Sequence, residues 1–504
     1  MSEDRVQEQT RRSGILCHPT SLPGPHGIGS LGPECGAFLD FLARAGQSIW
    51  QILPLGPTGF GNSPYQAFSA FAGNPLLIDL RPLEAMGLLL RQELYPGEPF
   101  SQDHISYERV IPYKIQLLRT AFERLDRAPS SMRQALESFQ TEQAAWLPDY
   151  ALFMALEQRF EGESWTEWPQ GIAMRRPEAL ARWREELSQE IAFQCFLQFL
   201  FHEQWQAVRE YAHGRGIHIV GDMPIFVGQE SADVWCHRDL FQLNGQGLPI
   251  AVAGVPPDYF SETGQLWGNP LYDWECMAEN DYAWWLDRLE HTLSMVDMVR
   301  LDHFRGFVAY WRVPADQTTA INGEWVPGPG HAFFDAVKRR LGAVPIIAED
   351  LGLITEEVEQ LRDALGLPGM KVLQFAYDGN ADNPHLPHNY PVNCVAYTGT
   401  HDNDTTAGWF AKADENTRRR VRTYTGCQGD DVVWPLIRTA MTSVARYAVF
   451  PLQDPLELGS RARMNHPGKP HGNWAWRFRP ESLTKGIAQR LYRLVEMSGR
   501  LVRS

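Results

Sequence analysis

Four short apolar runs in this 504-residue chain each end on a carboxylate: IHIVGD at Asp222, DMVRLD at Asp302, PIIAE at Glu349 and VAYTGTHD at Asp402. A buried strand has no use for an isolated charge, because an unpaired carboxylate taken out of water is costly. Four strand ends that finish this way place four acids at one solvent-filled mouth. Parallel strands produce that arrangement, since all of them end on the same face. The spacing of the acids fits successive strand and helix units of a (β/α)8 TIM barrel, whose C-terminal mouth is where such barrels carry their chemistry.

Eight strand candidates support the barrel: Gly14–His18, Ser48–Leu53, Ile217–Asp222, Met298–Phe304, Pro345–Glu349, Lys371–Phe375, Cys394–Thr398 and Tyr447–Leu452. Helical patterns such as Glu34–Ala45 and EEVEQLRDALG separate several of them, which favours a closed parallel sheet over an open one. Length alone suggests several domains, but a barrel with long loops reaches this size as one unit. The expected organisation is a disordered stretch over 1–12, then a single elaborated barrel over 13–504. It carries a helical insertion at about 83–185, a substrate loop region at about 226–290, and no C-terminal β-sandwich. The Pro- and Gly-rich stretch from Ala251 to Trp274 reads as a long loop, and loops of that length are usually functional or disordered.

Composition removes several classes of function. With 44% hydrophobic and 21% charged residues the chain is not a disordered one. A formal charge of −15 argues against a nucleic-acid partner, and the basic run Arg418–Arg420 with Arg422 reads as the solvated face of a helix. Seven scattered cysteines without a C-x-x-C pair argue against a disulfide framework and a structural zinc site, and point to a reducing, cytoplasmic compartment. The polar N-terminus has no apolar signal region, and no run approaches the roughly 18 apolar residues of a membrane span.

Gly27, Gly29 and Gly32 spell G-x-G-x-x-G before a helix, but the residues HPTSLPGPH separate them from the first strand. A dinucleotide fingerprint needs its glycines in the turn that leaves the strand, so these read as a turn-rich loop. Arg300 and Asp302 alternate onto one face of their strand, where Arg keeps the carboxylate ionised and aimed. An ionised Asp is a nucleophile, and a structural ion pair is the alternative. Glu349 ends an apolar run, so its pKa is expected to rise as a general acid requires. Its rival role is a helix N-cap, for which Asp350 or Thr355 is better suited, and Asp350 points the other way. THDND at 400–404 is either an Asx-rich turn or a source of an anion and a hydroxyl partner for an oxocarbenium-like transition state, supplied by Asp402 and His401. His401 lacks companions at metal-ligand spacing. Aromatic residues in loops, namely Tyr65, Tyr259, Phe260, Trp267 and Tyr272, are candidate platforms for sugar rings. Trp165, Trp168 and Trp205 read as packing.

With SLPGPHGIGSLG, WQILPLGPTGFGNSPYQ, GDMPIFV, GVPPDYFSETGQLWGNPLY, VRLDHFRG, IIAEDLG and YTGTHDNDT in order, the chain resembles the 4-α-glucanotransferases called amylomaltases, glycoside hydrolase family 77. The resemblance runs from about Ser13 to Arg479. RLDHF, AEDLG and THDND alone would indicate the wider α-amylase clan, whereas SETGQLWGNPLY and DMPIFV are more specific to the transferases. It implies that Asp302 is the nucleophile, Glu349 the acid/base and Asp402 the transition-state stabiliser. It also implies glucan contacts from Ser63, Tyr65, Asp222, Gln265, Trp267, Arg300, His303, Asp350 and His401, with Phe375 at an outer site and Asn465 near the acceptor.

The expected reaction is a retaining double displacement between an α-1,4-glucan donor and a glucose or maltooligosaccharide acceptor. The aromatic loop from Pro256 to Tyr272 would favour transfer by stacking the acceptor and excluding water. No metal or organic cofactor is implied, and the chain is expected to be a monomer or a weak homo-oligomer. An α-glucan hydrolase is the first alternative, because the same three acids serve both reactions. A catalytically silent glucan-binding protein is the second.

Overall fold

The computed structural model describes residues 10–257, 261–469 and 471–502. Twelve strands form among them: β1 (Arg12–Leu16), β2 (Ile49–Gln51), β3 (His218–Met223), β4 (Ala251–Val255), β5 (Gln265–Pro270), β6 (Met298–Leu301), β7 (Ala309–Pro314), β8 (Glu324–Pro327), β9 (Ile346–Ala348), β10 (Gly369–Val372), β11 (Cys394–Tyr397) and β12 (Tyr447–Pro451). Eight of them pair in parallel in the order β10-β11-β12-β1-β2-β3-β6-β9. The last join, between β9 and β10, is made by the Ala348 N–H donating to Pro368 O at 2.9 Å. These eight are the strands expected from the sequence, and they form a nearly closed (β/α)8 barrel. Apolar residues such as Val220, Val299, Ile347 and Val395 are buried in its strands, as expected for a sheet covered on both faces.

β1 begins at Arg12, inside the stretch expected to lack structure, because the Arg12 N–H bonds Arg446 O and the strand pairs along β12. Arg11 is also fixed, its guanidinium donating to Ser498 O at 2.8 Å. Between β2 and β3 run the helices Tyr107–Glu123, Ser130–Glu142, Leu147–Arg159 and Pro177–Glu186, then the 26-residue Ser188–His213 helix against the barrel.

The stretch from Ala251 to Trp274 is not one long loop. It contributes β4 and β5 to a separate antiparallel sheet in the order β5-β4-β7-β8. Gly254 and Gly268 lie in its strands and Gly264 in the turn before β5. The ladder shifts register between Val252 and Gly254, and a Cβ at Gly254 would lie 2.5 Å from Gln265 O. A bulge and close backbone approach explain why glycine sits inside a strand.

The G-x-G-x-x-G segment packs tightly after β1. A Cβ at Gly29 would lie 1.9 Å from Pro19 O, and one at Gly32 would lie 2.0 Å from Asp79 Oδ2. The basic run on the Glu415–Thr425 helix is not simply solvated: Arg420 donates to Asp378 O at 2.8 Å and Arg422 to Asp430 Oδ1 at 2.8 Å.

Candidate active site

Register places the acids. Asp222 on β3 stands opposite Arg300 on β6, and Leu301 stands opposite Ala348 on β9. Asp302 and Glu349 therefore occupy the next positions on two neighbouring strands, at the mouth of the barrel.

Arg300 is the hub. Its Nη1 donates to both oxygens of Asp222 at 2.8 Å and to Asp302 Oδ1 at 2.8 Å. Burial alone would lower the guanidinium pKa, but the two carboxylates hold it well above its ordinary value. Burial pushes Asp222 up to about 6, with Arg300 pulling the other way. The Tyr65 hydroxyl donates to Asp222 Oδ2 at 3.0 Å. Ser63 Oγ accepts the Tyr65 N–H at 3.2 Å, so its role here is to shape the turn that carries the ring.

Glu349 is sealed. The residue is 8% exposed, and its Oε2 accepts the His303 N–H at 2.7 Å while Oε1 accepts the Leu351 N–H at 2.9 Å. Burial pushes its pKa up to about 7; Arg300 and the two N–H groups oppose that, and Asp302 adds to it. His303 has φ 49 and ψ 49, the left-handed region. Its ring meets Trp267 edge-on with centroids 4.8 Å apart, and burial lowers the imidazole to about 4, so it is neutral at neutral pH. Gln265 Oε1 accepts the Trp267 Nε1–H at 3.3 Å, which steadies that indole.

Asp402 lies five residues beyond the end of β11, with its side chain 45% exposed at the mouth. Oδ2 is 3.3 Å from His401 Nε2, and Oδ1 accepts from Asn465 Nδ2 at 2.6 Å. The surrounding protein alone would raise the carboxyl pKa, but His401 and Asn465 hold it well below the usual range. Burial lowers the His401 pKa, and Asp402 more than restores it, leaving it above the ordinary value. The His401 ring stacks on Tyr65 with centroids 5.1 Å apart and planes at 16°. Tyr65 thus links the Asp222 and Asp402 sides of the mouth.

Some sequence candidates lie elsewhere. Asp350, expected to touch the glucan, turns its carboxylate away from the mouth: it accepts from Arg362 Nη1 at 2.5 Å and from the Met370 N–H at 2.6 Å. The reason is strand alternation, since neighbours of Glu349 face the other side of β9. Tyr272, expected as a sugar platform, is fully buried among Phe226, Phe241 and Trp285, and its hydroxyl donates to Ile225 O at 2.8 Å. Phe375 follows β10 and packs edge-on against His385. Tyr259 and Phe260 lie outside the described residues.

Two residues at the mouth have no part in the sequence reading. Arg463 donates from Nη2 to the Asp402 main-chain O at 2.5 Å and from Nε to Asn465 O at 2.6 Å. Trp474, at φ 60, brings its ring within 5.7 Å of Tyr65 and 6.0 Å of His401. Both lie close in sequence to Asn465, Arg463 two residues before it and Trp474 nine after it. Among the described residues, no group of three or more His, Cys, Asp and Glu is placed to hold a metal ion, and no helix is long and apolar enough to cross a membrane.

Comparison with known proteins supplies the context. A family profile described as 4-alpha-glucanotransferase matches residues 17–484. A 4-alpha-glucanotransferase of Thermus thermophilus is 50% identical over 503 residues, covering 98% of this chain and 100% of the relative. One of Synechocystis is 50% identical over 497 residues, covering 98% of each. Among solved structures, amylomaltase from Streptococcus agalactiae in complex with acarbose superposes with a TM-score of 0.94 at 40% identity, covering 97% of this chain and 99% of that one.

Proposed function

The chain belongs to the 4-alpha-glucanotransferase family, glycoside hydrolase family 77, and on that footing we propose how its own residues move a glucan segment from a donor chain to an acceptor. Asp302 attacks the anomeric carbon of the donor while Glu349 gives its proton to the departing 4-oxygen, and a covalent glucosyl–Asp302 intermediate forms. Glu349, now ionised, takes the proton from the 4-hydroxyl of the incoming acceptor, whose oxygen displaces Asp302 and remakes the α-1,4 bond. Two displacements at one carbon retain its configuration. Asp402, kept anionic by His401 and Asn465, faces the positive charge that develops in each transition state.

One observation carries this reading: the two carboxyls at the ends of neighbouring strands have opposite surroundings. Asp302 is bonded to the Arg300 guanidinium and open at the mouth, its side chain 26% exposed, whereas burial lifts Glu349 to about 7, where it can both donate and accept a proton. Neighbouring strands run about 4.8 Å apart, which suits the roughly 5 to 5.5 Å between the carboxyls of a retaining pair. Tyr65, Asp222, Arg300, His303, Trp267 and His401 surround these acids and are the groups we assign to the bound sugar. The acceptor is glucose or a maltooligosaccharide. We place the reaction in the cytoplasm, with the chain a monomer or weak homo-oligomer; seven cysteines that are all free support a reducing compartment.

Incubation with maltotriose tests the fate of the intermediate. A ladder of longer oligosaccharides together with glucose is the expected product pattern. Glucose and maltose alone would mean that water is the acceptor and the chain acts as an α-glucan hydrolase.

A further inference from the structure

Between the nucleophile position Asp302 and the helical turn Phe304–Phe307, the backbone makes a left-handed step at His303, with φ 49 and ψ 49. That region is uncommon for any residue but glycine, though histidine enters it more readily than a β-branched residue does, and a conformation of this kind is held in place by its surroundings. Three consecutive groups explain what the step accomplishes. The Asp302 N–H bonds Met223 O at 3.0 Å, continuing the ladder with β3; the Phe304 N–H bonds Glu349 O at 3.1 Å; and between them the His303 N–H is aimed at Glu349 Oε2 at 2.7 Å. An extended residue at 303 would direct its N–H elsewhere. The imidazole is not what holds the carboxyl: its Nε2 is buried without a hydrogen-bond partner, and its ring rests against Trp267.

We infer that the left-handed conformation of residue 303 is itself a positioning device, which presents a backbone N–H to the Glu349 carboxyl and so couples the turn after the nucleophile to the acid/base. The inference rests on the assignment of Glu349 as acid/base given above. An N–H aimed at a carboxylate favours its ionised form, opposing the burial that lifts Glu349 to about 7. The charged groups acting on Glu349 are Arg300 on β6 and Asp302 just past its end. They are unchanged when residue 303 alone is replaced.

The test uses variants that all lack the imidazole but differ in their tolerance of positive φ. Glycine and asparagine adopt this region readily, whereas a β-branched residue does not. In pH profiles of kcat/KM, His303→Gly and His303→Asn are expected to share one alkaline limb, and His303→Val to show that limb about one pH unit higher, because Glu349 holds its proton longer once the N–H is lost. Coincident limbs in all three would overturn the inference. Should the valine variant not fold, the wild-type chain decides. Its amide proton at residue 303 is expected to shift with pH through the midpoint of the alkaline limb, and that titration is expected to vanish in Glu349→Gln. An amide indifferent to pH across the limb would overturn the inference. Wild-type turnover in Glu349→Gln would instead remove the acid/base assignment, a separate failure, and the amide titration would still decide whether residue 303 holds the carboxyl.

Discussion

His401 Nε2 lies 3.3 Å from Asp402 Oδ2, and the two groups move each other's proton affinity in opposite directions: the carboxyl is held below its ordinary range and the imidazole above it. The pair is therefore an ion pair over the interval between those two displaced values. A depressed carboxyl loses its contribution as pH falls through its folded value, and a raised imidazole loses its contribution as pH rises through its own.

Replacing the imidazole with a neutral amide, His401→Gln, takes away the main group that holds the Asp402 carboxyl low. The carboxyl pKa then rises, so the titration midpoint of the Asp402 carboxyl, followed by NMR, is expected to move to higher pH by about one unit. A midpoint that stays in place would show that Asp402 keeps its charge without His401.

Asp302→Ala is expected to lower turnover of maltotriose by about 10⁴-fold or more, as removal of a nucleophile does. The change in melting temperature is expected to be about 3 °C or less, because Arg300 keeps both bonds to Asp222 and is not left unpaired. Calorimetry beside a turnover assay separates the two effects. Retained activity would strip Asp302 of its role.

Arg463 touches Asp402 only through the backbone, yet it also fastens Asn465, which holds the carboxylate. Arg463→Met keeps the length of the side chain and loses both bonds. Because small displacements of a catalytic group are costly, kcat is expected to fall about 10- to 100-fold, with KM changing less and the melting temperature nearly unchanged. A variant with wild-type kcat would show that the Asp402 turn holds itself.

The barrel could be read from the chain because its strands announce themselves locally: runs such as IHIVGD and PIIAE are apolar to the end and then charged. Glu349 was legible for the same reason, since its apolar run implied the burial that raises its pKa. The second sheet was not. β4 looks like a loop until its hydrogen bonds to β7 are known, and those partners lie far along the chain. Tyr272 shows the same limit from the side-chain end, because an aromatic ring between Pro and Trp reads as exposed until Phe226, Phe241 and Trp285 close around it. Asp350 is a different case. Strand alternation already turned it away from Glu349, and only likeness to a family pattern put it against the sugar. The left-handed step at His303 left no trace, since nothing in RLDHF distinguishes it from an ordinary strand end.

The clamp on Asp402 has a consequence for how the protein comes into being. Chains are made from the N-terminus, and domains begin to fold as they emerge. Asp302, Glu349 and Asp402 are all synthesised before Arg463 and Asn465, whose bonds fix the last of the three. A nascent chain can therefore carry every acid it needs and still lack the strap that sets the third in place, so the competence to handle glucan waits on residues made after the last barrel strand, β12.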